Sequence, residues 1–143
     1  MIFIDSIFSL SILILNADCQ IDEKNIISST AALSLSAVPK SLVVIGGGYI
    51  GLEMGSVWKR LGAEVTVIEN LSFITPGMDR EVSNEFQKIL TKQGIKFKLN
   101  SKVLSIEDLG SEVKIVYQTN GKNNKDEIFA DKTLIAVGRK PYT

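Results

Sequence analysis

The sequence has 143 residues, of which 45% are hydrophobic, and its 16 basic and 16 acidic side chains give a formal net charge of zero. This length suits one domain with a substantial core. A neutral chain gives no electrostatic argument for binding nucleic acid or an anionic membrane. One cysteine and no histidine exclude an intrachain disulfide, a Cys/His metal cluster and catalysis by an imidazole.

Residues 1–20 differ in character from the rest of the chain. Met1 to Leu15 is strongly apolar and carries one charge, at Asp5. A signal peptide would begin with basic residues, and an apolar run of this length is short for a membrane span. We expect a buried strand or helix, or a leader foreign to the fold; a cleaved or membrane segment is the weaker alternative. Cys19 is then most simply a free or buried thiol.

A short helix is expected after this segment. From Ile21 the sequence is first polar and then rich in small residues from Ser29 to Leu35. Ser29 or Thr30 would cap the helix, and Pro39 would end it and lead into the first strand.

An apolar run followed by three glycines predicts a parallel βα unit. Leu42 to Ile45 is short and mostly β-branched, as in a buried parallel strand, and Gly46, Gly48 and Gly51 follow in G-x-G-x-x-G register. The first glycine permits a tight turn, the second lets the backbone approach a pyrophosphate, and the third brings the next helix close to the sheet. The unpaired N–H groups at the start of that helix would face the phosphates.

The helix itself is predicted from apolar residues at helical spacing. Its apolar face is Ile50, Met54, Val57 and Leu61. Gly62 is placed to end it.

A second predicted strand, Val65 to Ile68, ends on an acid. That acid, Glu69, lies 18 positions after Gly51, close to the roughly 20 expected in a dinucleotide-binding βαβ unit. There an acid accepts hydrogen bonds from ribose hydroxyls. The glycine fingerprint alone is weak evidence, but together with strand, helix, strand and acid it predicts nucleotide binding. The alternative is a glycine-rich turn in some other parallel-sheet protein.

A turn at residues 76–77 precedes a second predicted helix, which begins near Asp79. Its apolar stripe is Val82, Phe86, Ile89 and Leu90. Gly94 is placed to end the helix, and Ile95 to Leu99 is expected to be the third parallel strand.

The hydrophobic period then changes to two. Residues 103–106 and 113–117 predict two strands, Asn120-Gly121 predicts a turn, and Ile128 to Ala130 predicts a strand that pairs back. Thr133 to Val137 then returns as a strand. The expected fold is α/β: a Rossmann-like parallel sheet with flanking helices, plus a three-stranded antiparallel β-meander.

Four motifs in this order are specific enough to indicate a family. They are I-I-S-S-T-A-A-L-S-L at 26–35, the glycine-to-acid stretch at 46–69, P-G-M-D at 76–79 and A-V-G-R-K-P-Y-T at 136–143. With them, residues 21–143 resemble the central NAD-binding domain of the FAD-dependent pyridine nucleotide–disulfide oxidoreductases, and within that family the dihydrolipoamide dehydrogenases. Residues 1–20 do not share the resemblance and are set apart as an apolar leader.

The resemblance implies an NAD(H) site around the glycine turn. The pyrophosphate would be wrapped by Gly46, Gly47, Gly48, Tyr49, Ile50 and Gly51. Glu69 would hold the adenosine ribose, Val103 would lie against the adenine, and Gly138 would approach the nicotinamide.

Two further positions match family residues near the nicotinamide. Glu53 corresponds to a glutamate beside the carboxamide, although an acid early in a helix is also favourable for the helix dipole alone. Tyr49 corresponds to an aromatic that covers the nicotinamide pocket in some relatives; the alternative is simply a large residue at a βα turn. No catalytic residue and no metal site is expected in this chain.

Other parts that the family uses are missing from the sequence. Nothing matches the glycine fingerprint of the FAD-binding domain, the C-x-x-x-x-C redox pair or the histidine of the dimerisation domain. In the full enzyme, electrons pass from dihydrolipoamide through FAD to NAD, so this chain alone is expected to be inactive. The simplest account is a gene fragment, a remnant or an excised domain with an unrelated leader.

Two functions therefore stay open. In the first, the chain is the NAD(H)-binding domain of a dihydrolipoamide dehydrogenase-like flavoprotein, completed by FAD and dimerisation domains on another chain. In the second, it is a stand-alone or remnant NAD-binding module without catalysis of its own. A methyltransferase is a weak third alternative, because Ile45 stands where such proteins place an acid. We expect no nucleic-acid or membrane partner, and a location in the cytoplasm, or in the mitochondrial matrix of a eukaryote, without secretion.

Overall fold

The computed structural model describes residues 24–32 and 37–136, together with the single positions Ile21 and Leu35. In chain order the elements are β1 (Ile26–Ile27), α1 (Ser29–Ala32), β2 (Ser41–Ile45), α2 (Tyr49–Arg60), β3 (Glu64–Ile68), α3 (Arg80–Lys92), β4 (Lys96–Lys98), β5 (Ser101–Asp108), β6 (Val113–Thr119), β7 (Asp126–Ala130) and β8 (Lys132–Ile135). The apolar leader and residues 137–143, with Gly138 among them, lie outside the described residues. Within the described ranges, no helix has both the length and the apolar character needed to cross a membrane.

Five strands form a parallel sheet in the order β1-β8-β2-β3-β4. At its centre, Val44 of β2 is in register with Val67 of β3 on one side and with Leu134 of β8 on the other. Helices α2 and α3 make the connections from β2 to β3 and from β3 to β4. The predicted parallel strands at 42–45, 65–68 and 95–99 and the returning strand near 133 are confirmed. The apolar pattern did not predict β1, which is only two residues long.

The last three strands before β8 form a separate antiparallel sheet in the order β5-β6-β7. Ile115 of β6 is in register with Ile106 of β5 and Ile128 of β7, and the register shifts at Val103 to Ser105. Gly121, with φ +85°, lies in the turn after β6. The predicted meander and the α/β fold class are confirmed.

Apart from its edge strand β4, the parallel sheet is buried on both faces. Side chains such as Val43 and Ile135 pack against Ile115 and its neighbours in the meander. On the opposite face, Val44 and Leu134 belong to a cluster with helix residues. Coverage on both faces explains why the central strand β2 and its neighbour β3 contain nearly continuous apolar runs.

Helix α2 presents a different face to the sheet from the one that its apolar residues predicted. Ile50, Val57 and Leu61 are exposed, Leu61 to 56%, and of the predicted stripe Met54 alone packs against the core. The buried positions of α2 are instead Gly51, Leu52, Gly55 and Trp58. The reason is close approach: two glycines face the sheet, and an apolar side chain in their place would hold the helix further away.

Helix α3 likewise buries only part of its predicted stripe. Leu90 is buried and Phe86 partly so, but Val82 and Ile89 are exposed to 55% and 53%. The other fully buried residue of α3 is Ser83, whose hydroxyl lies 2.6 Å from that of Thr75. Val82, Phe86 and Ile89 instead line an open surface groove together with Tyr49 and Met78.

Candidate functional site

The turn from β2 into α2 has the backbone that the glycine spacing predicts. Gly46 adopts φ +107°, a left-handed conformation that favours glycine, and its N–H donates to the Ile68 carbonyl at 2.8 Å. Gly48 precedes the first helical residue with φ −76°, and no side chain of the described residues caps the helix there. The N–H groups of the first turn are therefore without a capping side chain, as an anion site requires.

Space in front of the turn is open at Gly48. A Cβ atom built on Gly48 would meet no atom within 4 Å from any described residue other than Gly48 and its two neighbours in sequence. One built on Gly51 would lie 2.9 Å from the Cβ of Ala136 and 3.1 Å from Cγ1 of Val44. The room that a ligand could occupy thus lies at the second glycine, while the third faces the sheet.

The carboxylate of Glu69 lies directly beside this turn. Its Oε1 accepts a hydrogen bond from the N–H of Gly47 at 2.7 Å, and its Oε2 accepts one from the N–H of Leu71 at 2.7 Å. Hydrogen bonds to a charged acceptor are short and strong. The structure therefore brings together the glycine turn and the acid that lie 22 residues apart.

The loop after Glu69 also contacts the turn. The N–H of Thr75 donates to the carbonyl of Gly47 at 2.7 Å. The hydroxyls of Thr75 and Ser83 are 2.6 Å apart and buried. The sequence predicted only a turn at residues 76–77, and nothing in the residue types indicated that Thr75 reaches back to the glycines.

Tyr49 and Glu53 stand together on the first turn of α2. A hydrogen bond to Glu53 and the negative charge of its carboxylate raise the pKa of Tyr49 above its ordinary value, because both favour the neutral phenol. The Tyr49 ring is half exposed, and its centre is 6.5 Å from that of Phe86. The side chains of Tyr49, Ile50 and Glu53 are thus accessible beside the glycine turn.

The remaining predicted residues are placed differently. Val103 is 3% exposed and belongs to the core between the two sheets, so its contact with an adenine stays a prediction. Gly138 lies outside the described residues. In the described part of the chain, no cluster of acidic, cysteine or histidine side chains could hold a metal ion.

Comparison with known proteins identifies the family. The model of the pyridine nucleotide-disulphide oxidoreductase family matches residues 13–143. The chain belongs to this family. Among the relatives, the dihydrolipoamide dehydrogenase of Chaetomium thermophilum is 58% identical over 125 residues, which are 87% of this chain and 25% of that protein. Mitochondrial dihydrolipoyl dehydrogenase of Pisum sativum is 54% identical over 123 residues, 86% of this chain and 25% of that protein.

Solved structures are also similar to this chain, among them a flavoprotein disulfide reductase. The HOCl-induced flavoprotein disulfide reductase RclA from Escherichia coli is 33% identical with a TM-score of 0.69, over 83% of this chain and 26% of that one. LpdA from Mycobacterium tuberculosis, at 21% identity and a TM-score of 0.75 over 86% of this chain and 26% of that one, shares the fold. The resemblance to dihydrolipoamide dehydrogenases is confirmed, and the chain spans about a quarter of the length of the curated relatives that it matches.

Proposed function

We propose that residues 21–143 are the NAD(H)-binding domain of a dihydrolipoamide dehydrogenase-like flavoprotein disulfide oxidoreductase. In the full enzyme, NAD⁺ would accept the electrons that dihydrolipoamide delivers through FAD. This chain would hold the NAD(H), and other domains would hold the FAD. The observation that carries the proposal is the carboxylate of Glu69, bonded to Gly47 within the glycine turn of a βαβ unit.

The turn fits the pyrophosphate of the dinucleotide. The open space at Gly48 would take a phosphate oxygen, and the first N–H groups of α2 would donate to it. The helix dipole adds a favourable field for the negative charge. Gly46, Gly47, Tyr49, Ile50 and Gly51 would form the rest of the pyrophosphate wrap.

The acid fits the adenosine ribose. An ionised carboxylate has about four acceptor positions, and in Glu69 two of them are filled by the N–H groups of Gly47 and Leu71. The others would accept hydrogen bonds from the two ribose hydroxyls. Both oxygens are already fixed by the backbone, so little ordering of the side chain would be needed on binding.

Charge near the acid favours NAD(H) over NADP(H). A carboxylate repels a 2′-phosphate, and residues 70–73 that follow Glu69 are uncharged. The first cation, Arg80, lies over the ring of Phe73 at 3.9 Å, where the cation and the ring attract each other. The nicotinamide end would lie near Tyr49, Glu53 and Gly138, and the adenine near Val103.

The proposal is tested by titrating NADH and NADPH against the chain and its Glu69→Ala variant, by calorimetry or NADH fluorescence. A hydrogen bond to a charged group contributes about 1.5–3 kcal/mol to the binding free energy, so without Glu69 NADH should bind roughly 10- to 150-fold more weakly. NADPH binding should change far less. Glu107→Ala, which removes an exposed acid of β5, is the control and should leave NADH binding unchanged.

Two results would contradict these assignments. Equal affinity of the unmodified chain for NADH and NADPH would show that Glu69 does not select the cofactor. Binding of neither dinucleotide would contradict the proposed function and leave the glycine turn as part of the scaffold only.

A stand-alone or remnant NAD-binding module is the second candidate. Its support is the single cysteine and the absence of histidine, which leave residues 1–143 without a redox-active cysteine pair of their own. A colourless preparation that binds NADH would support this candidate. A yellow, flavin-containing preparation with a second chain would support a divided enzyme, with FAD and dimerisation domains as partners. Since several relatives are named as mitochondrial, the matrix of a eukaryote, or otherwise the cytoplasm, is the proposed location.

A further inference from the structure

Thr75 has a backbone conformation that its residue type rarely adopts. Its φ is +48°, in the left-handed region, where a β-branched side chain is an outlier. It is also buried. Such strain persists only where the surrounding contacts determine it, and it is concentrated at functional sites.

The side chain of Thr75 belongs to a buried pair of hydroxyl groups. Oγ1 of Thr75 lies 2.6 Å from Oγ of Ser83, and both residues are almost fully buried. Ser83 is itself fixed in the first turn of α3, where its N–H donates to the Asp79 carbonyl at 2.9 Å. The hydroxyl pair therefore ties the loop after Glu69 to a helix.

The consequence falls on the glycine turn. The N–H of Thr75 donates to the carbonyl oxygen of Gly47 at 2.7 Å. That carbonyl and the N–H of Gly48 belong to one planar trans peptide and point in opposite directions. Fixing the carbonyl of Gly47 therefore fixes the direction of the Gly48 N–H, at the residue that faces the open space.

Two successive peptide planes of the turn are held in this way by two different residues. The carboxylate of Glu69 holds the peptide between Gly46 and Gly47 through the Gly47 N–H. Thr75 holds the peptide between Gly47 and Gly48 through the Gly47 carbonyl. Glycine has the widest conformational freedom of any residue, so without these bonds the turn would lose its fixed geometry.

We propose that Thr75 is a positioning residue for the glycine turn, held in its left-handed conformation by Ser83 so that its N–H aims the Gly48 peptide. That the positioned ligand is the pyrophosphate of NAD(H) rests on the proposed function. The ordering of the glycine turn by Thr75 does not depend on which ligand binds there.

The experiment compares Thr75→Val, Thr75→Ser and Ser83→Ala for NADH affinity and for thermal unfolding. Thr75→Val and Ser83→Ala each break the hydroxyl pair, and NADH should bind roughly 2- to 13-fold more weakly to the folded protein, the range for one hydrogen bond. Thr75→Ser keeps the hydroxyl and should bind within about twofold of the unmodified chain. Thr91→Ala removes an exposed hydroxyl from the same helix and should change neither property.

Amide hydrogen exchange in the absence of NADH gives a second readout. In Ser83→Ala, the amides of Thr75 and Gly47 should exchange about tenfold faster or more, while the amide of Leu90 in α3 should keep its protection. A merely structural role predicts the reverse pattern: lower unfolding stability, a uniform rise in exchange, and unchanged NADH affinity of the folded variants. That pattern would overturn the proposal.

The two proposals fail in different ways. If the unmodified chain binds no NADH but exchange at Thr75 and Gly47 responds to Ser83→Ala, the positioning role holds and the NAD(H) assignment fails. If NADH binds and neither affinity nor local exchange responds, the positioning role is wrong and the proposed function stands.

Discussion

The three fingerprint glycines are glycine for different physical reasons. Gly46 has φ +107°, which disfavours any side chain. Gly51 has a neighbour 2.9 Å from the position of a Cβ atom. Gly48 has neither restriction, because its φ is −76° and, apart from Gly48 itself and its two neighbours in sequence, no described residue has an atom within 4 Å of that position. The protein's own fold thus accepts a side chain at Gly48, and the proposed pyrophosphate would supply the reason for glycine there.

Gly48→Ala separates folding from binding. The free energy of unfolding should stay within about 1 kcal/mol, because reduced freedom of the unfolded chain offsets the weaker helix cap. NADH should bind about tenfold more weakly or worse, because a methyl group would occupy the space of the pyrophosphate. Denaturant unfolding and an NADH titration measure the two effects. Normal affinity in the folded variant would argue against a phosphate at this turn.

Among the elements, α2 shows how close packing can reverse a hydrophobic pattern. Three of the four residues in its predicted apolar stripe, Ile50, Val57 and Leu61, are exposed, whereas Gly51 and Gly55 face the sheet. A Cβ on Gly55 would lie 3.3 Å from Cγ1 of Val65, a tight contact but not an overlap. The two glycines therefore differ in how much room the sheet leaves them.

Alanine at the two positions should have unequal effects on stability. Gly51→Ala should lower the free energy of unfolding by about 1–3 kcal/mol, because the added methyl group overpacks the interface. Gly55→Ala should change it by less than about 1 kcal/mol, because the gain in helix propensity offsets the tight contact. Urea titration of both variants gives the comparison. A stabilised Gly51→Ala would show that the helix does not approach the sheet as closely as described.

The strands were predictable from the sequence because burial on both faces demands unbroken apolar runs. Leu42 to Ile45 and Val65 to Ile68 have this character, and the period-two pattern of β6 follows from its single buried face. The glycine turn and the position of Glu69 beside it could be predicted for a different reason: the turn, the helix and the acid follow one another closely along the chain.

Other features could not be predicted because they depend on contacts distant in the sequence. A hydrophobic pattern is read from apolar side chains. It therefore cannot predict that the glycines of α2 face the sheet, because glycine has no side chain and allows close contact for that reason. It also gives no sign that Ser83 is buried, because its burial depends on the partner hydroxyl of Thr75. Strand β1 is too short to show a period, and its pairing with β8 comes from the far end of the chain.

At the scale of the whole molecule, the sequence contains few groups capable of redox chemistry. It contains one cysteine and no histidine, while the disulfide chemistry of the family needs two thiols and a base. The purified chain should therefore show no lipoamide-dependent reduction of NAD⁺ above the buffer blank, with or without added FAD. A complete dihydrolipoamide dehydrogenase in the same assay is the control. Turnover clearly above the blank would contradict this expectation.

The position of β8 has a consequence for how the chain is made. This strand is the last of the described elements to be synthesised, yet it lies between β1 and β2, where Thr133 is in register with Ile26 and Val43. A nascent chain that ends at residue 131 has β1 and β2 but not the strand that joins them. Because such distant pairings form slowly and leave strand edges unpaired meanwhile, the centre of the sheet closes only when synthesis of this region is complete.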